Sequence, residues 1–190
     1  MPTADKGLVG AQLGEKFLIS VEVNPPPGLS LGKSIEGAKL LKAMLACLKP
    51  GGVLALVTSH YTLDKQHPGL REHLAQQADF LGAIRLPAEA FAQAGTRVVT
   101  DILCLRKRAA GEETRHTDPA WLETALLAIE GVEMPINRYF LQQPTMVLGT
   151  WSRHDRLYAG EGYTLRASGD LAAQLGRAVG RAREHRGVVL

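Results

Sequence analysis

Apolar residues in this chain follow two patterns: unbroken runs of strand length, and positions recurring at three- and four-residue steps. The clearest unbroken run, Val53–Ser59, comes directly after Lys49-Pro50-Gly51-Gly52. No helix continues through Pro-Gly-Gly, and a run apolar on both faces belongs to a parallel sheet covered by helices. Before it, Ile35, Ala38, Leu41, Leu45 and Leu48 form one face of a helix over residues 34–48, extended by Met44 and Cys47, with Lys39 and Lys42 off that face. After it come a polar helical segment at Gly69–Gln77, an apolar strand at 80–86, a short helix or turn at Ala88–Ala94 and a strand at 98–105. Only a short connection precedes that last strand, which admits an antiparallel placement. An earlier strand, 17–23, stops at Asn24-Pro25-Pro26-Pro27-Gly28, where neither helix nor sheet interior can continue. This loop and the one at 59–65 both come after buried strands. In an open α/β sheet that puts them at the carboxyl edge, where ligands bind.

The remainder is thinner. Residues 1–16 carry three glycines and no period, and are expected to be poorly ordered. Residues 17–108 form the main α/β unit, and the polar stretch 109–120 reads as a linker. Residues 121–190 are expected to be a helical appendage, too thin for a core of its own and so packed on something else. Within it Trp121, Leu122, Ala125, Leu126 and Ile129 predict a helix over 121–129. Residues 163–165 suggest an edge strand, and 170–183 a last helix capped by Asp170.

Composition adds limits. The chain has 190 residues, 45% of them hydrophobic and 22% charged, enough for a core in one good-sized domain. No apolar run approaches the roughly 18 residues of a membrane helix, and Met1-Pro2-Thr3-Ala4-Asp5-Lys6 lacks a signal-peptide core. Cys47 and Cys104 lie in apolar contexts and read as buried free thiols of a reducing compartment, so a cytoplasmic location and no membrane partner are expected. Net charge is +3, with basic residues gathered at Arg106-Lys107-Arg108 and along the last helix at Arg177, Arg181, Arg183 and Arg186. Arg85, Arg106, Lys107 and Arg108 are candidates for DNA phosphate contact, with solvated charge as the alternative; the last-helix arginines read as a solvated face. Asp101, inside an apolar strand, needs a partner, and Arg97 or Arg85 would serve. The histidines show no metal-ligand spacing, and no metal is expected.

Two readings compete for the loop after the first strand. Gly28-Leu29-Ser30-Leu31-Gly32-Lys33-Ser34 has the strand–loop–helix setting of a nucleotide phosphate loop. That motif needs four residues between its glycines; here there are three, and Pro27, at the required spacing, lacks an N–H. The other reading takes Asn24-Pro25-Pro26. These residues resemble the catalytic motif of the methyltransferases that modify N6 of adenine in DNA, Asn/Asp-Pro-Pro-aromatic. The exocyclic amine of adenine is a poor nucleophile because its lone pair is delocalised. The resemblance implies that the Asn24 side-chain carbonyl and a neighbouring backbone carbonyl accept its N–H bonds and favour the nucleophilic form, with the prolines holding the acceptors in place. The target base is flipped out of the duplex, and the motif's aromatic stacks on it. A turn residue satisfying its own backbone is the alternative for Asn24.

Further blocks extend the likeness. Lys49-Pro50-Gly51-Gly52 before an apolar strand resembles the fifth strand of many methyltransferases. Thr58-Ser59-His60-Tyr61-Thr62-Leu63-Asp64-Lys65, Leu81-Gly82-Ala83-Ile84-Arg85-Leu86-Pro87 and Ala94-Gly95-Thr96-Arg97-Val98-Val99-Thr100-Asp101-Ile102-Leu103 resemble the methylase portion of the large helicase–methylase fusions of phages, plasmids and other mobile elements. Asn137-Arg138-Tyr139-Phe140, Met146-Val147-Leu148-Gly149 and Gly169-Asp170-Leu171-Ala172 resemble the segment just past the methylase in those proteins. The implied fold is α/β, a Rossmann-like S-adenosylmethionine-dependent methyltransferase sheet. The implied partners are DNA and an upstream methyltransferase half or helicase region. His60 and Tyr61 become candidates to touch base or cofactor, with a plain surface loop as the alternative. Pro27 departs from the family's aromatic. Only 23 residues precede Asn24, too few for the strands that carry the glycine-rich cofactor motif. The expectation is therefore the C-terminal half of such a domain, inactive alone and prone to associate. A non-catalytic DNA- or partner-binding module is the alternative.

Overall fold

The computed structural model describes residues 22–23, 43–95, 97–115, 120–154 and 162–186, without the side chains of 22–23 and 183–186. Its centre is a four-stranded sheet of β1 (Glu22–Val23), β2 (Val53–Ser59), β3 (Ala78–Leu86) and β4 (Thr100–Lys107), in the order β1-β2-β4-β3. β1 and β2 run parallel, with Val23 opposite Thr58. β4 runs antiparallel to both its neighbours, β2 and β3. The sheet is therefore mixed, not the parallel sheet expected from the run at 53–59. A run apolar on both faces reports burial, and strand β4 meets that demand in the opposite direction. β3 reaches β4 through residues 87–99, whose regular part is a 3₁₀ segment, Ala88–Ala94, and not the α-helix that usually carries a parallel crossover.

Residues 43–47 are helical and end before Pro50, with Met44, Leu45 and Leu48 buried against the sheet. Cys47 is exposed, contrary to the expected buried thiol; Cys104 is half-buried, and burial pushes its thiol up to about 11. After β2 the chain makes a single helical turn, α1 (Tyr61–Asp64), then α2 (Gly69–Gln77). β3 is buried along its whole length. It carries a bulge between Phe80 and Gly82, and Gly82 takes φ +143°, a conformation side-chain-bearing residues rarely adopt.

The segment from 121 corrects the helical expectation. After a 3₁₀ turn at Ala120–Leu122 it forms a hairpin of β5 (Thr124–Ile129) and β6 (Val132–Asn137). Glu130 and Gly131 both have positive φ, at 49° and 82°, the geometry of a two-residue primed turn. The same apolar residues satisfy a helical spacing, but the turn and the pairing with β6 decide the outcome. Next is α3 (Arg138–Gln142), capped by the Asn137 side chain, which accepts from Tyr139 N–H. A second small antiparallel pair, β7 (Thr150–Ser152) and β8 (Thr164–Arg166), precedes α4 (Leu171–Arg186). Asp170 Oδ1 accepts from the N–H groups of Ala172 and Ala173, so the expected cap is present. The appendage is thus as much strand as helix.

Both sides of the 109–120 stretch feed one hydrophobic cluster, running from Leu45 and Leu54 to Ile136, Phe140 and Leu165. Phe80 of β3 stacks on Trp121 at 4.9 Å and meets Tyr139 edge-on at 4.9 Å. Leu148 N–H donates to the Arg85 carbonyl at 2.9 Å, so residues beside 147 cover part of the outer edge of β3.

Candidate functional site

Arg85 and Asp101 stand directly opposite each other on β3 and β4, near the end of one strand and the start of the other. Both are fully buried. Arg85 Nε and Nη2 donate to the two Asp101 oxygens at 2.8 Å each, a bidentate pair. Its Nη1 and Nη2 donate to Asp64, at the end of α1, at 2.9 and 3.0 Å. Nη1 also donates to Tyr163 Oη at 2.8 Å, and that hydroxyl donates in turn to Asp64 Oδ2. All five guanidinium N–H groups therefore have acceptors inside the protein. Asp64 Oδ1 also accepts from Asn137 N–H at 2.8 Å, and Asn137 Nδ2 donates to the carbonyls of Leu63 and Trp121. The Phe140 ring lies 4.1 Å from the guanidinium carbon, close enough for a cation–π contact.

Two carboxylates on one guanidinium leave an excess negative charge, and Arg71 offsets it. Arg71 is buried on α2 and donates to the carbonyls of Leu122, Thr62 and Lys65. Burial lowers its pKa, and the nearby Asp64 carboxylate opposes that shift. Burial pushes Asp101 up to about 6 against the pull of Arg85, with Asp64 adding to the rise. Burial opposes the Arg85 charge, but Asp101 and Asp64 hold its pKa well above the ordinary value. Tyr163, buried beside these carboxylates, is likewise held well above the ordinary phenol value. Each side-chain nitrogen and oxygen of the cluster has a hydrogen-bond partner within the protein, the pattern of a structural knot. It fixes α1 and the ends of β3 and β4 in place.

That rigid base carries the loop after β2. His60 is buried; its backbone N–H and its Nδ1 both approach the Val99 carbonyl at 3.1 Å. Burial lowers its pKa to about 4, so it is a neutral imidazole near pH 7. Tyr61 is 43% exposed, and its ring sits on His60 with centroids 4.1 Å apart. His60 is a prop and Tyr61 is the accessible face, a division sequence alone does not make. Asn24, Pro25, Pro26 and Pro27 lie outside the described residues, as does Gly28–Ser34. Asn24 is the next residue in sequence after Val23, which pairs beside Thr58.

The basic residues proposed for DNA are placed otherwise than expected. Arg85 has no exposed surface, so it cannot reach phosphate. Arg106 bridges Asp79 and Glu112, while Arg108 pairs with Asp79 at 2.9 Å and donates to the Ala75 carbonyl. Lys107 donates to the carbonyls of Ala46 and Leu48, at the end of the 43–47 helix. Burial would raise the Asp79 pKa, but hydrogen bonds from Arg106 and Arg108 hold it below the ordinary carboxylate value. These three residues serve internal partners and do not form an open cationic face.

Asp101–Arg85 is legible in the sequence as a pair. Asp64, Arg71, Asn137 and Tyr163 escape that reasoning; the one local signal is Asn137 ahead of a short helix, an N-cap pattern. Among the described residues no group of His, Cys, Asp and Glu is arranged to hold a metal ion, and no helix is long and apolar enough to cross a membrane.

No family model matches the chain. It is similar to part of a phage protein. Defense against restriction protein B of Escherichia phage P1 is 29% identical over 120 residues, which is 63% of this chain. The match spans 5% of the phage protein, so this chain corresponds to a small part of a much longer polypeptide.

Proposed function

We propose that this chain is the base-binding portion of an S-adenosylmethionine-dependent adenine-N6 DNA methyltransferase, acting within a larger helicase-linked or anti-restriction protein. The observation that carries the reading is the parallel pairing of β1 with β2, which ends one residue before Asn24-Pro25-Pro26 and beside the His60–Tyr61 turn. Two loops that leave adjacent parallel strands share one sheet edge. The likeness to a phage protein named for defence against restriction supports the same setting.

In this reading Asn24 accepts the adenine amine, with Pro25 and Pro26 limiting its motion. Pro27 cannot stack on a base as an aromatic would. Tyr61 takes over that role, its ring steadied from behind by His60. The described residues include no glycine-rich turn between a strand and a helix that would cradle a nucleoside cofactor. S-adenosylmethionine binding is therefore assigned to no residue here.

The test is transfer of labelled methyl groups to adenine in DNA by this chain supplied with a cofactor-binding half, in cis or in trans. Asn24→Ala is expected to reduce transfer by about a hundredfold or more, the scale of losing one preorganised polar contact to a reacting group. Tyr61→Ala should cost about ten- to a hundredfold, from about 1–3 kcal/mol of base stacking. Transfer indifferent to Asn24→Ala would sink the assignment. Calorimetric titration of the chain alone with S-adenosylmethionine and ATP is expected to show no binding of either. Saturable binding of ATP alone would return Gly28–Ser34 to first place.

A further inference from the structure

Arg71 and Arg85 direct their guanidiniums to partners inside the protein, which draws attention to two arginines outside it. Arg177 and Arg181 are exposed on α4, and among the described residues neither has an ion-pair or hydrogen-bond partner. Four residues apart, they lie on one face of the helix, about 6 Å apart along its axis. Both border a cleft of about 180 Å³ between α4 and the segment that covers the edge of β3. Thr145, Gly149, Ser168 and Gln174 complete its polar rim. Ala178, between the two arginines in sequence, is buried and also lines the cleft. Among the described residues no carboxylate lines the cleft. The nearby acids are turned to other work: Glu89 accepts from Ala167 N–H and Asp170 caps the helix.

We infer that this cleft holds backbone phosphate of the DNA, with Arg177 and Arg181 as the cationic arms and the Thr145 and Ser168 hydroxyls as donors to the same oxygens. Two guanidiniums one helical turn apart, beside hydroxyl donors and with no carboxylate among the described lining residues, match a polyanion. Guanidinium forks suit phosphate oxygens. The inference rests on the reading of the chain as a DNA-binding portion. It moves the phosphate contacts from the Arg106–Arg108 knot, whose side chains are engaged internally, to the last helix.

Fluorescence anisotropy with a short labelled duplex, across a salt series, tests it on the full chain. Replacing both arginines (Arg177→Ala with Arg181→Ala) should weaken binding regardless of DNA sequence. It should also make the slope of log affinity against log salt shallower by about 2, one unit per lost phosphate contact. Arg115→Ala, which removes an exposed arginine paired with Glu112, should leave both quantities unchanged. The two cleft arginines are exposed and have no ion-pair or hydrogen-bond partner among the described residues, so the variant's thermal melt should match wild type. Equal DNA affinity and slope in the double variant overturn the inference while leaving the methyltransferase reading to its own assay. So does an absence of DNA binding by wild type at low salt. Competition by inorganic phosphate, with DNA binding unaffected by the double variant, would make this a small-anion site and also overturn it. A shallower slope in a chain that never supports methyl transfer upholds the cleft and removes the other reading.

Discussion

Arg85 is the residue on which most of the polar interior depends. Removing its charge leaves Asp64 and Asp101 buried without their main counter-ion. Such broken pairs cost about 3–5 kcal/mol, a large part of a domain's usual margin of about 5–15 kcal/mol. Arg85→Met should therefore show a sharply lowered urea midpoint or fail to fold. Arg85→Lys should also be weaker than wild type, because an ammonium cannot reproduce the guanidinium fork. Two neighbours of this cluster pull stability in opposite directions with pH. Asp101 has a folded pKa of about 6, above the ordinary 3.8, so its contribution is largest below 3.8 and fades as pH rises through 6. His60 has a folded pKa of about 4, below the ordinary 6.5, so its contribution is full above 6.5 and fades as pH falls through 4. The two windows overlap, and across them the two contributions oppose each other. In His60→Gln the Asp101 slope is no longer opposed by the imidazole, and urea melts from about pH 4 to 6 should show stability falling more, or rising less, with pH than in wild type. A change of the opposite sign relative to wild type would contradict a burial-raised pKa at Asp101.

Among the elements, β3 depends on its bulge. A methyl group at Gly82 would sit 3.2 Å from Tyr139 Oη, at a φ of +143° that alanine avoids. Gly82→Ala should cost about 1–3 kcal/mol in chemical denaturation, with loss of the Phe80–Tyr139 contact as the structural readout. How far each element is legible in the sequence depends on how local its causes are. β2 and α2 stand where the pattern puts them, because Pro-Gly-Gly and the switch from polar to apolar positions act on neighbouring residues. The 121–129 segment reads as helix because Trp121, Leu122, Ala125, Leu126 and Ile129 satisfy a helical spacing. Glu130-Gly131, a primed-turn pair, is the contrary signal, and it wins. The Arg106-Lys107-Arg108 knot looks like a patch because the residues are consecutive. At the end of a strand successive side chains alternate, so Arg106 and Arg108 reach Asp79 while Lys107 points the other way, to the helix carbonyls. The Asp101–Arg85 pair is legible because a lone buried carboxylate is costly. Asp64 and Tyr163 join it from 21 and 78 residues away, and nothing local announces that.

For the molecule as a whole, the sheet and the C-terminal third share one core, while β1 has a paired neighbour on one side only among the described residues. An open strand edge is a template for pairing with another chain. Size exclusion with light scattering should therefore report masses above the 20.5 kDa monomer, and a supplied cofactor-binding half should suppress them. A clean monomer at all concentrations would count against a missing neighbour. The buried cluster also bears on how such a chain can be inherited. Asp64, Arg85 and Asp101 come from one side of the polar stretch near residue 110, Asn137, Phe140 and Tyr163 from the other. A gene exchange that cut there and joined a foreign downstream piece would strand a charged knot without its lid. The seam that looks most natural for shuffling is thus one that recombination is penalised for using, and the two flanks should travel between genomes as a unit.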